Sequence, residues 1–137
     1  AEFELRMGEL SAQGETLTAD LLSREYRALN EAYFGPDMVS DDQIALEWSR
    51  IPHFYYNYYV FQYATGYSAA IALSRRILQE GEPAVKDYLE FLSGGCSKDP
   101  IDLLKGAGVD MASPEPIQAA LDLFDTLLDE MEQLMED

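Results

Sequence analysis

Between Ile51 and Ser74 the chain carries no Asp, Glu, Lys or Arg, yet this stretch holds the only histidine and six of the nine tyrosines. Its first part reads Ile51-Pro52-His53-Phe54-Tyr55-Tyr56-Asn57-Tyr58-Tyr59-Val60-Phe61-Gln62-Tyr63-Ala64-Thr65-Gly66. Neutral imidazole and phenol donate hydrogen bonds without adding charge, the property needed to hold a peptide carbonyl or a developing oxyanion. On one helix, residues three, four and seven apart share a face. His53, Tyr56, Val60 and Tyr63 then form a stripe, with Tyr59 beside it and Tyr55, Tyr58 and Gln62 elsewhere around the helix. An aromatic stripe of this kind can also be ordinary core. Six phenols, however, need many hydrogen-bond partners when fully buried, and a wet cavity supplies them.

Other residues with reactive groups are less well placed. Ser93-Gly94-Gly95-Cys96-Ser97-Lys98-Asp99-Pro100 precedes a helix and could receive an anion or a peptide backbone. It lacks the phosphate-loop spacing, so a turn between helices is the better reading. Cys96 is the only cysteine, which excludes an internal disulfide and a zinc ribbon. As a nucleophile it would depend on His53, distant in sequence, for its base. Asp41-Asp42 reads as a helix start, and Arg75-Arg76 as structural partners for carboxylates. One histidine cannot build a multi-histidine metal cage.

The 137 residues include 26 acids against 9 bases, a net charge of −17. Such a surface repels phosphates, which excludes nucleic acid and anionic membrane surfaces as partners. A hydrophobic fraction of 47% is enough for a core. The uncharged stretch is long enough for a membrane span, but Asn57, Gln62, Thr65, Ser68 and the phenols are too polar for one. The chain starts at Ala1 without a positively charged leader segment, and the expected compartment is the cytoplasm.

The elements that must position these groups are all helical. Residues 1–13 place Phe3, Met7 and Leu10 on one face, and Gly14 ends the helix. Thr18 is the expected N-cap of a helix to about Tyr33, with Asp20 in its first turn and Leu17 and Leu22 set as a hydrophobic staple. Phe34-Gly35-Pro36-Asp37 is a break, and Val39 to Trp48 is a short acidic segment. Pro52 suits the first turn of a long helix, predicted to run from Pro52 to Glu80. Pro83, Asp99-Pro100 and Ser113-Pro114 open three more. The last carries Ile117, Leu121, Phe124, Leu128, Met131 and Met135 on one face with acids opposite. Strand signals are nearly absent, and short gaps predict one helical unit over residues 1–137.

Several segments together resemble a known family. Ile51 to Tyr55, Tyr59 to Gly66, Tyr88 to Gly95 and Asp99 to Met111 are similar to the C-terminal region of oligoendopeptidase F, and Tyr33 to Pro36 and Glu47-Trp48 fit the same pattern. That family comprises zinc oligopeptidases of the thimet-oligopeptidase superfamily, hydrolases of short peptides. The resemblance covers essentially the whole chain, in order. It implies a multi-helix, zincin-type fold with a deep channel, of which this chain is the C-terminal part. It also implies a zinc cofactor on a His-Glu-x-x-His helix, a motif this sequence lacks. The zinc helix would then lie upstream, the chain would bind no zinc itself, and alone it would be inactive.

The resemblance further implies site residues. In related peptidases two tyrosines seven apart bind substrate and stabilise the tetrahedral intermediate, and Tyr56 and Tyr63 match that spacing. His53 would be the accompanying imidazole, giving His53, Tyr56 and Tyr63 as catalytic candidates. Tyr58 and Tyr59 are substrate-contact candidates, either of which could replace Tyr56, and Gly66 would lie where the channel wall comes close. A fragment exposes apolar surface at its cut face, which would favour a homodimer. The competing classes are a non-enzymatic acidic interaction module and a metal-free homologue.

Overall fold

The computed structural model describes residues 1–136 and is all-helical among them, as the sequence predicts. Six α-helices are present: α1 Glu2–Ala12, α2 Ala19–Phe34, α3 Phe61–Glu80, α4 Glu82–Ser93, α5 Pro100–Gly106 and α6 Glu115–Glu136. Two 3-10 helices, Ile44–Arg50 and Pro52–Tyr55, lie between α2 and α3. No helix among the described residues is long and apolar enough to cross a membrane. Where the short gaps suggest one unit, the residues pack as two, residues 1–62 and residues 63 onward. Each closes around its own core.

In the first unit the core is aromatic. Phe3 of α1, 4% exposed, meets Tyr26 of α2 and Phe54 of the second 3-10 helix edge-on, both with ring centroids 5.1 Å away. Trp48 closes the group at 6.4 Å from Phe3 and donates from its indole to Ser23 Oγ at 3.1 Å. Local capping sets the helix starts. Thr18 Oγ1 accepts from the Leu21 amide at 3.2 Å, the N-cap the sequence predicts. Asp41 Oδ1 accepts from the Gln43 and Ile44 amides, both at 2.8 Å, and opens the first 3-10 helix.

The second unit is built around Leu73, Ala107 and Val109, with Tyr88, Phe91, Leu104 and Met111 packed against them. Arg76 of α3 ties it together. Its guanidinium donates to the Ala107 carbonyl, to Asp87 of α4 at 2.8 Å and to Glu80 at 3.1 and 3.2 Å. α6 is held at its start by Arg75, which donates to the Ala119 carbonyl at 3.0 Å. The predicted apolar stripe of α6 faces outward: Ile117, Leu121, Phe124, Leu128, Met131 and Met135 are all exposed.

One element departs from the sequence reading. The helix predicted from Pro52 to Glu80 is a 3-10 turn over Pro52–Tyr55, an irregular segment at 56–60, and then α3. Asn57 and Tyr58 adopt left-handed backbone conformations, with φ of 54° and 62°. Two such residues in succession end a right-handed helix. His53 and Tyr63 are therefore not on one continuous helical face.

Candidate functional site

The segment from Ile51 to Val60 is held from below by its apolar members. Phe54 enters the aromatic core of the first unit, 5.1 Å from Phe3 and 6.3 Å from Tyr26. In a 3-10 helix residues three apart eclipse one another, which keeps His53 beside Tyr56 even though the α-helical face is lost. Their ring centroids are 6.0 Å apart and the planes 74° from parallel. Tyr59 completes the group. It stacks on His53 at 5.6 Å with planes 24° apart, and meets Tyr56 edge-on at 5.9 Å. Tyr56 is 59% exposed, so a phenol edge of this three-ring group faces solvent.

The remaining tyrosines of the segment go elsewhere. Tyr58 lies over α1, where a side chain added at Gly8 would overlap its hydroxyl. Tyr55 donates to the Ser49 carbonyl at 3.2 Å, a structural bond. Of the three candidates for partner to His53, Tyr56 and Tyr59 join it.

Tyr63 and Gly66 belong to the second unit, in the first two turns of α3. Tyr63 is 57% exposed. Gly66 borders a largely apolar cavity of about 440 Å³ that α3 forms with Tyr88, Phe91 and Leu104. A methyl added at Gly66 would meet nothing within 4 Å among the described residues. Cys96 is exposed and lies in the second unit, whereas His53 lies in the first.

Sequence reasoning missed the group that fixes this segment. Glu4 of α1 is 4% exposed, and its two carboxylate oxygens accept from the Tyr59 and Val60 amides, both at 3.0 Å. These amides stand at the start of α3, where donors lack intrahelical partners and the helix end carries partial positive charge. A buried carboxylate that accepts two charge-assisted hydrogen bonds is satisfied. The available signal was an acid flanking the apolar row Phe3, Met7 and Leu10. Nearby, desolvation and then the Glu47 carboxylate hold the Tyr26 phenol above its ordinary pKa, and Tyr26 donates to Glu47 at 3.2 Å.

No group of three or more His, Cys, Asp and Glu side chains is placed to hold a metal ion among the described residues. The described residues by themselves do not assemble a zinc site. What the three-ring group presents is a set of hydrogen-bonding and stacking groups with Tyr56 open to solvent.

Comparison with known proteins places this geometry in context. Residues 1–123 match the model of peptidase family M3. The chain is 62% identical over 135 residues to Oligopeptidase PepF of Bacillus subtilis (strain 168), covering 98% of this chain and 20% of that protein. It is 43% identical over 136 residues to the chromosomal oligoendopeptidase F of Lactococcus lactis subsp. cremoris, covering 99% of this chain and 23% of that one. The crystal structure of oligoendopeptidase-F from Enterococcus faecium matches with a TM-score of 0.87 at 46% identity, over 98% of this chain and 26% of that chain. The chain thus spans between a fifth and about a quarter of the length of these relatives.

Proposed function

The chain belongs to peptidase family M3, the family its motifs resemble, and on that premise we propose that it is the C-terminal part of the catalytic domain of a zinc oligoendopeptidase. The observation that carries this reading is the match over residues 1–123 together with relatives named as oligopeptidases that are four to five times longer. In the intact enzyme a zinc ion, held by residues outside this chain, would supply Lewis-acid chemistry. The intact enzyme would work in the cytoplasm.

The part assigned to this chain is binding and orientation of a short peptide. His53, Tyr56 and Tyr63 donate hydrogen bonds to the peptide backbone and to the oxygen on which charge develops. Tyr59, stacked on His53, holds the imidazole plane, and Tyr58 flanks the segment. An open Gly66 leaves room for peptide backbone or for another part of the enzyme to approach α3. Neutral donors suit this task because they gain strength as negative charge grows on the oxygen and add no charge to the resting site. A second copy of the chain is the proposed partner for the outward stripe of α6.

The test is Tyr63→Phe in the intact enzyme. Loss of one oxyanion donor lowers kcat by about 10²–10³, and unchanged kcat/KM would remove Tyr63 from catalysis. The 137-residue chain alone is expected to hydrolyse no peptide; zinc-dependent cleavage by it would overturn the assignment. A His-Glu-x-x-His motif upstream in the encoding reading frame supports the peptidase reading. A start codon at the beginning of this segment supports the interaction module instead.

A further inference from the structure

We propose that one face of α1, formed by Glu4 and Gly8, is the positioning device for the His53–Tyr59–Tyr56 group. The two residues are four apart and so lie one above the other on the helix. Both meet the segment that carries the rings. Glu4 takes the Tyr59 and Val60 amides at 3.0 Å each. Gly8 leaves the space that the Tyr58 hydroxyl occupies, space a Cβ would fill.

The arrangement answers a conformational problem. Tyr58, a bulky residue at φ 62°, sits in a region that non-glycine side chains rarely adopt, and this geometry persists only when its surroundings enforce it. Glu4 anchors the two residues after Tyr58, and Gly8 seats the Tyr58 side chain. With both in place the chain reverses between Tyr56 and Tyr59, and Tyr59 comes to lie on the His53 ring. Glu4 touches none of the three rings through its carboxylate bonds, which go to backbone amides. It is a positioning residue. The placement of the rings is a property of this chain, and its consequence for peptide hydrolysis rests on the function proposed above.

The single histidine makes the inference measurable in the 137-residue chain. Its two ring C–H resonances are the only imidazole signals, and stacking on Tyr59 displaces them from the positions of an unstructured histidine. Glu4→Gln keeps the shape but presents an amide NH₂ to one of the two backbone donors. Gly8→Ala fills the Tyr58 space. Both variants, with helical circular dichroism retained, are expected to move the His53 resonances toward the unstructured positions. Glu4→Gln should also speed hydrogen exchange of the Tyr59 and Val60 amides by about ten- to a hundredfold, the worth of a hydrogen bond to a charged group. Glu9→Gln, on the exposed side of α1, should change neither.

Unmoved His53 resonances in folded Glu4→Gln and Gly8→Ala overturn the proposal. Should Glu4→Gln not fold, exchange in the unsubstituted chain decides: Tyr59 and Val60 amides as fast as those of the exposed 37–39 turn overturn it, and protected amides support it. In the intact peptidase, Glu4→Gln should lower kcat more than it raises KM. If the resonances move but His53→Gln leaves the intact enzyme fully active, the catalytic reading fails and the positioning stands.

Discussion

Replacing Arg76 by Met tests the packing that holds α3, the helix bearing Tyr63 and Gly66. Met keeps the length of the aliphatic stem, so the loss is confined to the guanidinium. The ion pairs contribute little: Asp87 and Glu80 side chains are 36% and 50% exposed, and exposed pairs are worth at most about 1 kcal/mol. The larger effect lies at the Ala107 carbonyl. Ala107 is 1% exposed and belongs to the core of the second unit, and its carbonyl accepts from Arg76. Orphaning a buried acceptor costs about 1–3 kcal/mol. Together the expected loss is about 1–4 kcal/mol, against the roughly 5–15 kcal/mol that stabilises a domain. For a chain of this size that corresponds to a melting temperature lower by about 3–12 °C. Urea unfolding followed by circular dichroism measures it, and amide exchange should locate the loss at residues 63 onward. Arg76→Lys should fall between, because a point charge cannot serve the carbonyl and two carboxylates as a planar fork does. An Arg76→Met chain within about 0.5 kcal/mol of the unsubstituted one would refute this account.

Thr18→Ala should destabilise α2 by about 1 kcal/mol, whereas Thr18→Ser should be near neutral, since only the hydroxyl that accepts from Leu21 is at stake; equal losses in urea would argue against the cap. Tyr26 has a folded pKa raised above its unfolded value, so its contribution is complete below the ordinary phenol value of about 10 and is lost as pH rises through the folded value. Tyr26→Phe should remove that alkaline loss of stability, and an unchanged alkaline profile would show that Tyr26 is not its source. The exposed stripe of α6 should bring two copies together in sedimentation equilibrium, and Phe124→Glu with Leu128→Glu should leave monomers. Because α6 contains seven acids and no base, association should strengthen with salt as the repulsion is screened. Association that weakens with salt would point to a different contact.

Local signals in the sequence located what local forces decide. Gly14, the Thr18 cap, the Gly35-Pro36 break and the 3.6-residue period of α6 correspond to helix ends and faces in the structure. The division into two units was not legible from gap lengths, because it depends on which apolar residues meet across the chain. Neither was the end of helical structure at Tyr55. Asn57 tolerates a left-handed conformation, but Tyr58 gives no warning of one. What stabilises it is Glu4, 55 residues away along the chain from Tyr59, and hydrophobic periodicity carries no trace of so distant a bond. In sequence Glu4 is one of two acids in the first turn of α1, a placement that helix electrostatics alone explains.

That hidden break also brings the three rings together. On an uninterrupted α-helix Tyr59 would stand about 9 Å along the axis from His53 and about 120° around it, since each residue adds 1.5 Å and 100°. Side chains so disposed cannot stack. The observed centroid separation of 5.6 Å with planes 24° apart requires the chain to reverse between them, which the left-handed pair Asn57 and Tyr58 accomplishes. His53 and Tyr56 meet in either geometry, as residues three apart do on a 3-10 or an α-helix. Tyr59 can join them only in this one. The helical stripe inferred from spacing therefore contains one pair that the structure also brings together, for a reason that holds locally, while the third ring depends on a carboxylate that the spacing does not reveal.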